Sequence, residues 1–253
     1  MVEKSAVLPA QVRKKIEYIM NENRALSIDS ASIILADICG VLLGLRRSEF
    51  LATAEKKPNL TTLLCFQNLA GIKWDLGDGT KTWNIASWST RLASDEVIKL
   101  RYTKHNRHRV AHEVIAGPGY KLMSFVLWLK IVVKLRLAFG EHLNASSPLL
   151  VRVNRGKLVP MTGDFMRRID KVYAPKLGWF GATIHSRRRG FATAMVRCGI
   201  HMAAITIAMR HSQGVTLQYV ALSLAEKASI TTRLSVGAYD VPDSPRKLNG
   251  DTC

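Results

Sequence analysis

The stretch Thr183-Ile184-His185-Ser186-Arg187-Arg188-Arg189-Gly190-Phe191-Ala192-Thr193 decides how the rest of the chain is read. Thr183 or a neighbour can cap a helix, and His185 and Arg188, three positions apart, then share one face near its N-terminal end. Unpaired backbone N–H groups and the helix dipole favour an anion at that end. An H-x-x-R pair by itself is weakly specific, because most such pairs are ordinary surface polar residues. This one lies between Asp170 and Glu226, an interval with no acidic residue but with Lys171, Lys176, Arg187, Arg188, Arg189, Arg197 and Arg210. A solvated basic face is the ordinary explanation of such a run, and a phosphate site is the alternative.

The charge of the whole chain points the same way. Its 253 residues carry 37 Lys and Arg against 19 Asp and Glu, a formal charge of +18, and the pI is about 10.1. A surface of this sign attracts a polyanion by neutralising phosphates and releasing counterions, so binding is expected to weaken steeply with salt. A hydrophobic fraction of 47% fits a folded domain with a sizeable core rather than a disordered basic tail. The opening MVEKSAVLPA has no secretory or lipidation pattern. The longest apolar stretch, Leu122 to Phe139, is interrupted by Lys130, Lys134 and Arg136, which favours a core helix over a membrane span. An intracellular protein with a polyanion as its partner is the expectation, and charge alone does not say which nucleic acid. Cys39, Cys65, Cys198 and Cys253 show no metal-ligand spacing, so neither zinc nor disulfides are expected; Cys39 and Cys198 read as buried thiols.

Outward from the quoted stretch, the texture is helical at both ends of the chain. Apolar residues at helical spacing run through Val12, Ile16, Ile19 and Met20 and resume from Ile33 to Leu45. Between Leu63 and Ile115 the pattern changes to short β-prone runs, TTLLCF, TWNIASW, EVIKLRY and RVAHEVI, which read as a small antiparallel sheet. Gly117-Pro118-Gly119 ends that sheet, and a long helix is expected from about Tyr120 to Phe139. LLVRV then leads into the polar turn NRGK, and Thr162 can cap a helix toward Lys176. Helical stretches follow over His185–Arg197, His201–Met209 and Val215–Arg233. The fold class is α+β, mainly helical with a small antiparallel β-sheet. The expected division is a lead-in helix over 1–27, one main domain over 28–233 and a loose tail over 234–253.

Other polar residues stand where a site would need them. Gly44-Leu45-Arg46-Arg47-Ser48-Glu49-Phe50 closes a hydrophobic helix with an Arg that must reach something polar, and Met209-Arg210-His211-Ser212 precedes Thr216-Leu217-Gln218-Tyr219. Each has an ordinary structural explanation: Tyr219 as a half-buried core tyrosine, Arg46 as a favourable cation at a helix end, His211 as a helix-terminal polar group, Glu49 as an exposed acid. Their order along the chain is harder to explain that way. It resembles the catalytic domain of the tyrosine recombinases, the phage-type integrase family, whose members carry an Arg in G-L-R-x-x-E, then H-x-x-R, then a His or Trp, then a Tyr. The resemblance runs from about residue 30 to residue 225.

By that resemblance Arg46 is the first arginine, His185 and Arg188 form the second box, His211 is the third-box histidine and Tyr219 is the nucleophile. The family also uses a lysine on a β-hairpin, and Lys104, directly after Thr103 and before the turn His105–His108, fits; Lys99 and Arg109 are rivals on the same hairpin. The residue types suit the reaction. A phenol has an unperturbed pKa of about 10, so cations or a base must help it ionise, and two guanidiniums can fork onto phosphate oxygens as charge grows in the transition state. The family mechanism implies that Tyr219 displaces the 5′ oxygen and forms a 3′-phosphotyrosine link, with no metal or nucleotide cofactor. Lys104 protonates the leaving oxygen, His185 assists proton transfer, His211 hydrogen-bonds the phosphate and Glu49 helps to position the site. Double-stranded DNA is the implied substrate, self-association in a tetrameric synapse is implied on it, and the helix ending near Arg233 would pass to a neighbouring protomer.

The sequence departs from the family in three respects. His211 lies eight positions before Tyr219, about one fewer than the family pattern; Arg210 stands where a small residue is usual; and 58 positions separate Arg46 from Lys104, implying an enlarged sheet region. The family's separate helical DNA-clamping domain has no counterpart in the 45 residues ahead of Arg46, which implies a fragment, a minimal form or a clamp supplied from elsewhere. A type IB topoisomerase shares the tyrosine chemistry, but the His185-x-x-Arg188 spacing favours the recombinase. A DNA-binding module of recombinase ancestry that has lost cleavage is the alternative outside enzymes.

Overall fold

Helix α2, Ile28–Val41, is the axis of the molecule, and its sequence IDSASIILADICGV explains why: it is apolar almost all round, as a helix covered on every side must be. In the computed structural model, which describes residues 6–54, 63–70, 98–103, 111–179, 182–209, 231, 232, 234–236 and 238, this helix packs against at least five other elements. Its start is fixed by Ser27, whose side chain accepts from Ser30 N at 3.0 Å. Asp29 in the first turn accepts from the backbone N of Val153 at 2.6 Å, tying the helix to a distant hairpin.

Around α2 lie α1 (Pro9–Glu22), a four-residue α3 (Arg47–Phe50), α4 (Phe125–Ala138), α5 (Gly163–Leu177), α6 (Ile184–Arg197) and α7 (Met202–Met209). The neighbours of α2 include α1, α3, α4, α6 and strand β4 (Val151–Asn154). One apolar core collects Val12, Ile16 and Ile19 of α1, the length of α2, Trp128 and Leu129 of α4, and Phe191 and Met195 of α6. Thus α1 belongs to the same core as the main domain. Leu234 and Ala238, on the tail side of residue 233, are buried in it too. Met20, expected on the apolar face of α1, is exposed, since the helix turns that position outward near its C-terminal end.

The expected small sheet is present in part. Strands β1 (Leu69–Ala70), β2 (Ile98–Thr103) and β3 (Ala111–Ala116) form an antiparallel sheet in that order, with Leu100 opposite Val114 and Thr103 opposite Ala111. Of the β-prone runs, EVIKLRY and RVAHEVI supply β2 and β3. In TTLLCF the described residues Leu63–Phe66 form no strand: Cys65 makes a single bridge to Pro148, and a 3₁₀ turn follows at Phe66–Asn68. TWNIASW lies outside the described residues. A second sheet pairs β4 with β5 (Lys157–Pro160), so LLVRV and NRGK are one strand and the turn of a hairpin. Arg155 and Gly156 both take positive φ there.

The long helix begins at Phe125, five residues later than the apolar pattern suggests. Ser124 is its cap, accepting from Leu127 N at 3.3 Å and donating to Pro118 O at 2.7 Å, so GPGYKLM is held as an irregular lead-in. Of the charges that interrupt its apolar run, Lys134 is exposed, whereas Lys130 and Arg136 are buried. Arg136 is fully buried, forks onto Glu141 at 2.5 and 2.7 Å, and donates to the carbonyl of Pro148 at 2.6 Å. Among the described residues no helix is long and apolar enough to cross a membrane. Burial raises the Cys39 thiol far above its ordinary value and pushes Cys65 up to about 11. Cys198, expected to be buried, is only half-buried, because it caps the C-terminal end of α6 where the helix meets the surface.

Thr162 caps α5 as expected: its Oγ1 accepts from Phe165 N at 3.2 Å, while its neighbour Gly163 donates to Ala52 O at 3.4 Å. Replacing Thr162 by Ala should therefore cost about 1 kcal/mol of unfolding free energy, and Thr162→Ser should recover most of it. Urea denaturation of the two variants and the parent checks this, and equal loss in both would show that packing rather than capping is at stake.

Candidate active site

The first candidate residues lie on a tight turn between α2 and α3. Helix α2 stops at Val41, and Gly44 at φ +57° reverses the chain. A side chain at that position is excluded twice, by the left-handed backbone and by Phe191 of α6, whose ring a Cβ would meet at 2.7 Å. Arg46 does not end the hydrophobic helix, as its sequence position suggests; it is the N-cap residue of α3. Glu49, three residues on, is 3% exposed and is not a surface acid. Its carboxylate accepts from Arg46 N at 2.6 Å and pairs with Arg46 Nη1 at 3.5 Å. A buried carboxylate needs such partners, and the pairing in turn aims Arg46, whose side chain keeps 28% exposure.

The second candidate pair lies on α6. Thr183 precedes the helix and donates its backbone N to Ser186 Oγ at 2.9 Å, closing the first turn. His185 is exposed at this end, one turn before Arg188, which is 3% exposed. Arg188 reaches out of α6 in two directions: Nη1 donates to the carbonyl of Gly44 and Nη2 to the carbonyl of Met209. Two backbone segments 165 residues apart are thereby held by one guanidinium. The first is the turn that carries Arg46. The second is the last residue of α7, two positions ahead of His211. The structure so sets Arg188 against the turn that leads to Arg46 and Glu49, with His185 exposed one helical turn before it, while Lys104, His211 and Tyr219 lie outside the described residues. Of the rivals to Lys104, Lys99 is half-buried on β2, and Arg109 lies outside the described residues.

The basic run from Lys171 to Arg197 is not one solvated face. Lys171, Lys176, Arg189 and Arg197 are exposed, but Arg187 and Arg188 are buried. Arg187 is 0% exposed and ends in a group of charges that sequence reasoning missed. Its Nε donates to Asp37 Oδ1 of α2; Nη1 and Nη2 fork onto Asp170 of α5 at 2.9 and 2.5 Å. Lys15 of α1 completes the group, 2.8 Å from Asp37 Oδ2 and 3.4 Å from Asp170 Oδ1, with Tyr173 and Trp179 rings about it at 5.3 and 5.5 Å. Two cations and two anions balance.

Signals for this group were present in the sequence. Arg187 falls on the stripe Ile184, Phe191, Ala194 that packs inward, and Asp37 sits in the middle of an apolar run. Burial works against the charge of Asp170, yet the adjoining Arg187 and Lys15 outweigh it and hold the carboxyl below its ordinary value. Burial likewise opposes the charge on Arg187, and Asp37 and Asp170 raise its pKa above the usual arginine value. Among the described residues no group of three or more His, Cys, Asp and Glu side chains is placed to hold a metal ion.

No protein-family profile and no curated protein matches the sequence. Solved structures similar to the chain include the following two. One is the XerH site-specific recombinase bound to palindromic difH substrate in a post-cleavage complex, at 13% identity and a TM-score of 0.48 over 94% of this chain and 52% of that one. The other is the Tn1549 transposon integrase in complex with circular intermediate DNA, at 17% identity and a TM-score of 0.47 over 90% of this chain and 64% of that one. The chain thus spans between about half and two thirds of the length of these structures.

The Asp170 shift makes stability depend on pH. Because the folded-state value lies below the unfolded value of about 3.9, the unfolded chain binds the extra proton in acid. This contribution is complete at neutral pH and is lost as pH falls through about 4 and below. Asp170→Asn leaves the buried Arg187 short of a partner and should cost about 3–5 kcal/mol at pH 7. In denaturation series at pH 7, 5 and 3, the gap between parent and variant should narrow toward the acid end; a constant gap would contradict the assignment.

Proposed function

We propose that this chain is the catalytic portion of a tyrosine recombinase that cleaves and rejoins double-stranded DNA through a 3′-phosphotyrosine intermediate. The observation that carries the reading is the double bond of Arg188 to Gly44 O and Met209 O. It joins the G-L-R-x-x-E turn, the H-x-x-R helix and the end of the helix that leads to His211, three segments whose order in the sequence suggested the family. Nothing in a generic helical core requires those three to meet.

In this reading Arg46 and Arg188 hold the non-bridging oxygens of the scissile phosphate, and Glu49 keeps Arg46 in place. The Tyr219 oxygen attacks phosphorus and gives up its proton with help from His185. The bond from phosphorus to the 5′ oxygen breaks as the new P–O bond forms, and Lys104 delivers a proton to the departing oxygen. His211 donates to the phosphate. Phosphate charge is met by the side chains, and the energy of the broken bond is kept in the phosphotyrosine for religation. The +18 charge supplies sequence-independent affinity for the duplex, and self-association on DNA and residence with DNA inside the cell follow from the same reading.

A nicked suicide substrate tests it. The chain should form a covalent protein–DNA adduct that Tyr219→Phe abolishes and Arg188→Ala reduces by about 100-fold or more. Adduct surviving in Tyr219→Phe would sink the assignment. DNA retention without any adduct from the parent chain would instead identify a binding module.

A further inference from the structure

Arg187 and Arg188 are neighbours on α6 but lead to different parts of the molecule. Arg188 points to the two backbone segments of the candidate site. Arg187 points beneath it, to Asp37, Asp170 and, through them, Lys15, so that α1, α2, α5 and α6 meet at one set of charges. We propose that Arg187 is a positioning residue for DNA cleavage: its forked pairing with Asp37 and Asp170 sets the rotation of α6 and hence where His185 and Arg188 stand. This inference rests on the recombinase reading given above.

Three observations support it. The first concerns what a buried ion group can and cannot do. Desolvation offsets most of the Coulombic gain, and an apolar residue of similar volume commonly stabilises a core as well or better. A Met or Leu at 187, on the stripe with Ile184 and Phe191, would therefore suffice for packing. A guanidinium adds direction, because Nε, Nη1 and Nη2 each bond a defined oxygen, and turning α6 misaligns all three.

The second is that α6 lies so close to its neighbours that a small turn of the helix changes what its side chains meet. Gly40 of α2 faces Arg187, where an added Cβ would lie 2.6 Å from the Arg187 Cβ. On another side Gly190 admits the Val7 carbonyl, and Val7 N donates to Ser186 O at 3.0 Å. Both glycines let backbones approach closely, and the three bonds of Arg187 to carboxylates act at the same close contact with α2.

The third is proximity in sequence. Arg187 lies two positions after His185 and directly before Arg188, within one turn of α6. Displacing a reacting group by about 1 Å can cost about 100-fold in rate even when binding is unchanged.

The experiment uses the full chain, the suicide substrate, and two variants. Arg187→Lys keeps the charge but cannot fork. Arg187→Met with Asp170→Asn keeps the volume and leaves Lys15 and Asp37 as a balanced pair, so that no uncompensated charge is buried. Adduct formation is followed in single turnover, DNA affinity by titration with the same duplex, and folded fraction by the denaturation midpoint. Both variants should bind DNA within about 3-fold of the parent while the cleavage rate falls by about 10-fold to 100-fold.

A folded variant that cleaves at the parent rate overturns the proposal. So does a loss of cleavage that only follows the loss of DNA affinity or of folded protein, since Arg187 would then serve stability alone; unfolding of both variants has the same meaning. Failure of the parent chain to form an adduct overturns the recombinase reading itself and this inference with it, an outcome recognisable before either variant is made.

Discussion

A guanidinium with no water around it must have all its directions answered, and that requirement organises this protein. Arg187 is enclosed by α1, α2, α5 and α6. Its three bonds demand an acid from α2 and an acid from α5, and the second positive charge of Lys15 from α1 then balances the two acids. Removing any one member would leave a buried charge unpaired, at a cost of several kcal/mol, comparable with a large part of the stability of an ordinary domain. Four helices distant in sequence are thereby bound to a single arrangement, and the candidate residues His185 and Arg188 flank Arg187 on one of them.

The outer shape of the fold was legible because it rests on periodicity and punctuation. The β2–β3 ladder follows from alternating runs on either side of a polar turn, and α5 begins where Thr162 can cap it. Boundaries were read less well where a cap competed with an apolar pattern. Around Tyr120 to Met123 apolar residues continue the helical rhythm, but Ser124 captures both Pro118 O and Leu127 N and moves the start of α4. The hairpin of β4 and β5 was only half visible, since KLVP is too short to show alternation.

The candidate site divides along a similar line. Arg46, His185 and Arg188 could be named from order and spacing, and the Arg188 contacts place two of the segments together. Glu49 illustrates the limit of composition: an acid in a polar-looking RRSEF reads as surface until the backbone folds it against Arg46 N. Arg187 was hidden for a related reason. Charge runs are scored by sign along the chain, whereas burial depends on which face each residue takes. Three consecutive arginines on α6 have three fates: Arg189 meets solvent, Arg188 the backbone of a turn and of a helix end, and Arg187 the carboxylates of the core.

The contact of Val7 with α6 has a practical side. Val7 N bonds Ser186 O, and the Val7 carbonyl fits against Gly190, so the start of the described chain is stitched to the helix of His185 and Arg188 along one full turn. A fusion partner, tag or tether attached ahead of this point would act as a lever on that helix, with its load delivered close to the candidate site. Attachment sites for handles or fluorophores are better chosen at the exposed tip of the β4–β5 hairpin, at Arg155, where the surface faces solvent.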